Sequence, residues 1–161
     1  MRNDSQRLDT LHQLMVLESS AEQAYDDITR LLQTSFNVPI AIVNLLDAQR
    51  DWFKSCVGLT TRESPANTSF CEAFFHVVED LIIAEDTALD PRFKQHPLVI
   101  GPPHIRFYAG ARLVVDGQTV GTLCAYDVKP KQVSAQDRDQ LRLLAAAVIQ
   151  LLSQRLGRPP V

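Results

Sequence analysis

No apolar run in the sequence approaches the roughly 20 consecutive residues that a membrane-spanning helix needs. The polar N-terminus, MRNDSQRLDT, likewise lacks the hydrophobic core of a secretion signal. The chain therefore reads as soluble and cytoplasmic, with no membrane partner. Cysteine is scarce. Cys56, Cys71 and Cys124 form an odd set with no Cys-x-x-Cys pair, which argues against a secreted disulfide framework and for free thiols in a reducing compartment. Basic excess is missing too: 16 Lys and Arg stand against 19 Asp and Glu, a net charge of -3, so the basic patch of a nucleic-acid reader is not offered. His12, His76, His96 and His104 are scattered, and none pairs with a cysteine or carboxylate at a metal-ligand spacing. Gly-rich phosphate cradles, internal repeats and low-complexity segments are absent as well.

What is present suits one globular domain. The 161 residues are 45% hydrophobic and 22% charged, and a chain of this length buries about 70% of its unfolded surface, enough to fold without disulfides or metal. The most informative stretch runs from Gly101 to Asp127, where two runs of strand formers flank Asp116-Gly117. Asp-Gly between apolar runs signals a two-residue type I′ hairpin, because both turn positions need positive φ. The simplest register pairs Val115 with Gln118, Leu113 with Val120, Ala111 with Thr122, Ala109 with Cys124 and Phe107 with Tyr126. Tyr108, Gly110, Arg112, Leu123 and Ala125 then share the other face. Neither face is consistently polar, so both sides of this sheet are expected to be covered.

Along the chain, Leu8, Leu11 and Met15, with Leu14 alongside, stripe a first helix over 4–17. Ser20 and Gln23 resemble a capping box opening a second helix on Tyr25, Ile28, Leu32 and Ser35 or Phe36, which Val38-Pro39 ends. Ile40 to Leu46 reads as a strand covered on both faces, and Asp51 to Val57 as its return, with Trp52, Lys54 and Cys56 on one side and Phe53, Ser55 and Val57 on the other. Arg50 and Asp51 read as a solvated turn. Residues 59–68 read as loop, 73–78 as a short helical stretch, and Leu81 to Ala84 as a strand. Asp90-Pro91 predicts a helix N-terminus, and Pro97 and Pro102-Pro103 are expected to break the chain after that helix. Ser134 and Asp137 cap a closing helix striped by Leu141, Leu144, Ala145, Val148 and Leu152, with Gly157 and Pro159-Pro160 ending it. Helices, strands, a loop-rich middle, a hairpin and a final helix make an α+β pattern with an antiparallel sheet. Its first and last helices are expected to pack together on one face, with the irregular middle over the other.

The ordered strings WFKSCVGL, SFC, DPRF, HPLVIGPPHIRFYAGARL and GTLCAYD resemble the GAF domain of bacterial sensor proteins, over residues 11–152 of a single domain spanning 1–161. That resemblance implies a six-stranded antiparallel sheet, terminal helices packed on one face, and a loop-covered pocket on the other that binds a small molecule for signal transduction. It leaves ligand and cofactor unspecified. By position in the family's motifs, the implied ligand-binding set is Phe53, Ser69, Phe70, Cys71, Asp86, Phe93, Arg106, Tyr108, Ala109 and Cys124. Arg106 could clamp a carboxylate or phosphate, or pair across the hairpin with Asp127. Asp86 could receive an amine or cap a helix. The family also pairs its terminal helices between subunits, which implies a homodimer, and a signalling protein acting in trans is a second implied partner.

The same resemblance names an enzyme alternative. Free-methionine-sulfoxide reductases are GAF proteins with cysteines around the pocket, and Cys71 sits where they loosely match. Residues 104–107, near which they place the attacking cysteine, contain none. Glu72 after Cys71 departs from the Cys-His pair of bilin attachment. The expectation is a sensory domain with no catalytic residues, and a ligand-free dimerisation module is the remaining alternative.

Overall fold

The computed structural model describes residues 1–157. Helix α1 (Ser5–Gln13) starts where the Asp4 carboxylate accepts the Arg7 amide, satisfying one of the donors that a first turn leaves orphaned. Helix α2 (Gln23–Phe36) buries Tyr25, Ile28, Leu32 and Phe36 as the periodicity predicts, and Asn37 ends it in the left-handed conformation. Strands β1 (Ile40–Leu46) and β2 (Arg50–Val57) come next, then a short β3 (Glu63–Pro65), β4 (Leu81–Ala84), the single turn α3 (Pro97–Ile100), β5 (Phe107–Val115), β6 (Gln118–Asp127) and the long α4 (Ala135–Gln154). Ser134 and Asp137 cap α4 reciprocally, as expected.

The six strands form one antiparallel sheet in the order β3-β2-β1-β6-β5-β4. One face is covered by helices: α1 lies against β6, α2 against β1 and β2, and α4 against β5 and α2. Between them sits the larger core, with Leu11, Leu14, Leu32, Trp52, Phe107, Leu113, Leu141 and Val148 at 3% exposure or less. It is α2, then, rather than α1, that pairs with α4. The other face carries a second core of Phe70, Phe74, Phe93, Ile105, Tyr108 and Cys124 beneath the irregular middle of the chain. No helix among the described residues is long and apolar enough to cross a membrane.

Asp116 and Gly117 have φ of 52° and 75°, the positive pair that the type I′ turn requires. The register beyond it departs from the simple one. Val115 pairs with Gln118 and Val114 with Thr119, but Leu113 then pairs with Gly121, so Val120 is an extra residue. This bulge moves every later partner by one: Gly110 rather than Ala109 faces Cys124, and Tyr108 rather than Phe107 faces Tyr126. Thr122, Cys124 and Tyr126 thereby join Tyr108 and Gly110 on the face away from the helices. A second bulge leaves Lys54 without a β1 partner between Val43–Ser55 and Asn44–Phe53. Strict alternation in β2 fails for that reason. Lys54 and Ser55 both reach the helix side, to Ser20 and Thr29, while Phe53 keeps the opposite one.

Several local expectations are corrected. Met15 lies beyond α1 at φ 51° and is exposed; Arg7 and Leu11 form the buried stripe of the helix. The Ser20–Gln23 capping box does not form, because α2 begins after Glu22 without a side-chain cap and the Ser20 carbonyl accepts Lys54 instead. Residues 63–65, expected in a loop, add β3 to the sheet. The helical stretch expected over 73–78 is a 3-10 segment, Phe70–Phe75. Asp90 organises a turn, accepting the Arg92 amide on its carboxylate and the Phe93 amide on its carbonyl, and no helix starts there. The helix comes at Pro97, which opens α3 at its first position behind the His96 cap. Helix α4 ends at Gln154, and Pro159-Pro160 lies outside the described residues.

Candidate functional site

Alternation in β1 sends Ala41, Val43 and Leu45 into the helix-side core and aims Ile40, Ile42 and Asn44 at the other face. There, between β1, β2 and the segments before and after α3, is a cavity of about 260 Å³. Ile42, Phe53, Leu59, Phe70, Ile105 and Tyr126 supply apolar walls, and Asn44, Asp51 and Ser69, with Thr61, Ser64 and Thr68, supply its polar groups. Apolar walls with a small number of placed polar groups are the usual make-up of a small-molecule site.

Asn44 and Asp51 are buried and linked. Asn44 is 1% exposed and Asp51 2%. Asn44 Nδ2 donates to Asp51 Oδ2 at 3.1 Å and to Cys71 Sγ at 3.4 Å, whereas Asn44 Oδ1 has no hydrogen-bond partner among the described residues. Arg2, folded in from the N-terminus, places Nη1 3.0 Å from Asp51 Oδ1 and donates to the Asp47 carbonyl at 2.8 Å. Burial pushes the Asp51 carboxyl up from its ordinary value, opposed by hydrogen bonds from Ser69 and Asn44 and by the Arg2 charge. Asp51, expected on a solvated turn, is instead part of the cavity wall. Arg50 does stay at the surface, paired with Glu18, Asp47 and Glu63.

Beside the cavity, aromatic rings fill the space over β5 and β6. The Phe70 ring stacks on His96 at 4.1 Å and on Tyr108 at 5.4 Å, and meets Phe93 at 5.2 Å and Tyr126 edge-on at 5.6 Å. Phe70 divides the cavity from a second cleft of about 470 Å³ that runs past His76 and Arg92. Beneath the rings lies a polar knot: Cys71 Sγ is 3.0 Å from Thr122 Oγ1, 3.3 Å from Tyr108 Oη and 3.4 Å from Cys124 Sγ. Burial raises the Cys71 thiol, but hydrogen bonds from Cys124, Thr122 and Tyr108 outweigh it and leave Cys71 below the ordinary thiol value. Burial pushes Cys124 and Tyr108 well above theirs.

Of the ten residues implied by sequence, Phe53, Ser69 and Phe70 line the cavity. Cys71, Phe93, Tyr108 and Cys124 pack in the adjoining core. Ala109 lies on the helix side of the sheet, since the Val120 bulge takes Cys124 away from its face. Asp86 caps a 3-10 turn, its carboxylate accepting the Ala88 amide. Arg106 does not pair with the Asp127 side chain: its backbone amide donates to the Asp127 carbonyl and its guanidinium to the Val99 carbonyl at 2.8 Å. Asp127 pairs with Lys131. Asn44, Asp51, Leu59 and Tyr126 are cavity residues that the sequence reading did not assign. Asn44, a lone amide within the aliphatic strand IAIVNLL, was the one signal available.

The GAF domain family model matches residues 20–154, and the chain belongs to that family. A curated relative is the cyclic di-GMP phosphodiesterase PA2567 of Pseudomonas aeruginosa, 40% identical over 120 residues. The match covers 74% of this chain but 20% of the relative, so the chain spans about one fifth of that protein. Among solved structures, the blue-light-absorbing form of the PixJ GAF domain from Thermosynechococcus elongatus superposes with a TM-score of 0.67 at 16% identity, covering 91% of this chain and 89% of that one. The substrate complex of free methionine-R-sulfoxide reductase from Neisseria meningitidis gives a TM-score of 0.62 at 16% identity, with 92% and 86% covered. At such identities these two structures share the fold alone.

Proposed function

We propose that this GAF domain is a non-catalytic sensory module that binds a small, largely apolar molecule carrying a hydrogen-bond donor, in the cavity between β1, β2 and the α3 segments. The observation that supports it is the cavity wall itself: apolar side chains around Asn44, whose buried Oδ1 has no partner among the described residues. A buried acceptor without a donor costs free energy that a ligand N–H or O–H would recover. The output is regulation of a signalling protein, through α1, α4 or a homodimer built on them. The named activity of the Pseudomonas relative favours a cyclic-dinucleotide enzyme as the regulated partner. Native mass spectrometry of freshly purified protein, compared with the denatured mass, tests this. A reproducible dissociable adduct is expected; bare protein from several growth conditions, with no thermal shift across an amine and alcohol library, would leave a dimerisation module in its place.

A further inference from the structure

We propose that Cys71 and Cys124 are an oxidisable dithiol that closes to an internal disulfide, giving the domain a redox-sensitive modification site next to its cavity. Both thiols are completely buried and their sulfurs lie 3.4 Å apart. A disulfide needs about 2.05 Å, so the sulfurs must close by about 1.3 Å. One partner is held on the central strand β6 and the other at the start of the 3-10 segment Phe70–Phe75. The short segment is the element that can give, since it is tied to the sheet by side chains rather than by a strand ladder.

The surroundings distinguish the two sulfurs. Cys71 receives the Asn44 amide and is within hydrogen-bond reach of the Thr122 and Tyr108 hydroxyls, the arrangement that favours a thiolate at that atom. Cys124 Sγ is directed to Thr122 Oγ1 at 3.0 Å and remains a thiol. Neither sulfur lines the cavity, whose wall includes Asn44 and the two residues that precede Cys71, so a hydroperoxide enters from the cavity past Ser69 and Phe70 as the 3-10 segment gives. The Cys71 thiolate attacks one peroxide oxygen and the O–O bond breaks. Cys71 becomes a sulfenic acid, and the departing hydroxide takes a proton to leave as water, or as an alcohol from an organic peroxide. Cys124 sulfur then attacks the Cys71 sulfur, the S–O bond breaks, and the leaving hydroxide takes the Cys124 proton. Two thiols and one hydrogen peroxide give one disulfide and two molecules of water, and an organic hydroperoxide gives one alcohol and one water instead. A reducing dithiol reverses the change by thiol–disulfide exchange.

The test uses the full chain carrying Cys56→Ser, which removes the remaining, partly exposed thiol. After hydrogen peroxide, denaturation and alkylation, peptide mapping is expected to show the Cys71 and Cys124 peptides joined and both positions protected from alkylation, with dithiothreitol restoring both. Cys124→Val, which keeps the apolar packing, is expected to leave a Cys71 sulfenic acid that dimedone traps. Full alkylation of both cysteines after peroxide, or a Cys71 sulfinic acid with Cys124 free, would overturn the proposal.

Discussion

Arg2 Nη1 and Asp51 Oδ1 meet at 3.0 Å with their side chains only 5% and 3% exposed, so the N-terminus of the chain is pinned to the wall of the cavity. Removing one member of a buried ion pair leaves the other uncompensated, typically at a cost of about 3–5 kcal/mol. Arg2→Ala should therefore destabilise the domain by about 3 kcal/mol in urea titration. The double variant with Asp51→Asn should lose much less than the sum of the two single variants. Additive losses would mean that the pair is not coupled.

Lys54, the bulge residue of β2, is fully buried. Its ammonium reaches Glu22 at 2.6 Å, the Ser20 carbonyl at 2.5 Å and the Ser19 hydroxyl at 2.8 Å. Lys54→Ala removes the buried stem and its bonds to Ser19 and Ser20, while Glu22 keeps Arg155 at 3.0 Å, and should cost about 3 kcal/mol. Lys54→Met keeps the packed stem and should cost less. Denaturation midpoints at matched m-values measure both.

Gly110 lies directly under the Tyr108 ring. A Cβ there would meet the Tyr108 hydroxyl, lie 2.8 Å from Tyr108 Cζ and 3.1 Å from the Phe74 ring. Gly110→Ala should lower stability by about 1–3 kcal/mol through overpacking, with a changed near-ultraviolet tyrosine signal. An unchanged melting temperature would show that the ring swings aside freely.

His96 caps α3 through Nδ1, which accepts the Leu98 amide at 3.0 Å. Burial lowers its pKa below the ordinary 6.5. The folded state thus binds the proton more weakly than the unfolded chain. The stability this group supports is complete above pH 6.5 and is lost as pH falls from 6.5 toward the lowered folded value. His96→Asn, which can still cap but cannot titrate there, should flatten the stability profile across that window. Identical profiles for variant and parent would place the dependence elsewhere.

Leu59 is 42% exposed yet lines the cavity, so a larger side chain can occupy the opening with little effect on the core. Leu59→Trp should reduce adduct occupancy in native mass spectra about tenfold while leaving the melting temperature of the ligand-free protein within a few degrees. Undiminished occupancy would place the ligand outside this cavity.

The elements with strong local signals were legible in the sequence. Strands β1 and β4, the Asp116-Gly117 turn and the Ser134–Asp137 capping box depend on residues a few positions apart, whose preferences act before any tertiary contact forms. The buried stripe of α2 shows the same. The weak points were places where neighbours in space overrule neighbours in sequence. Ser20 looks like a cap, yet α2 starts only after Glu22, and Asp51 looks like a turn residue until Arg2 covers it. Only Phe53, Ser69 and Phe70 of the implied site residues reach the cavity, because their placement followed motif position and not side-chain direction.

By itself the sequence determined the α+β class, the helical and extended segments, the antiparallel hairpin at the centre of the fold and the GAF resemblance, since these follow from periodicity, turn stereochemistry and ordered motifs. Tertiary structure alone decided which residues share a face. One extra residue at Val120 and one at Lys54 invert the alternation beyond them. The first brings Tyr108, Thr122 and Cys124 together on the face away from the helices, with Cys71 packed against them, and leaves Ala109 on the other. A strand's side-chain period is two, so a single unpaired residue moves everything after it to the opposite side of the sheet.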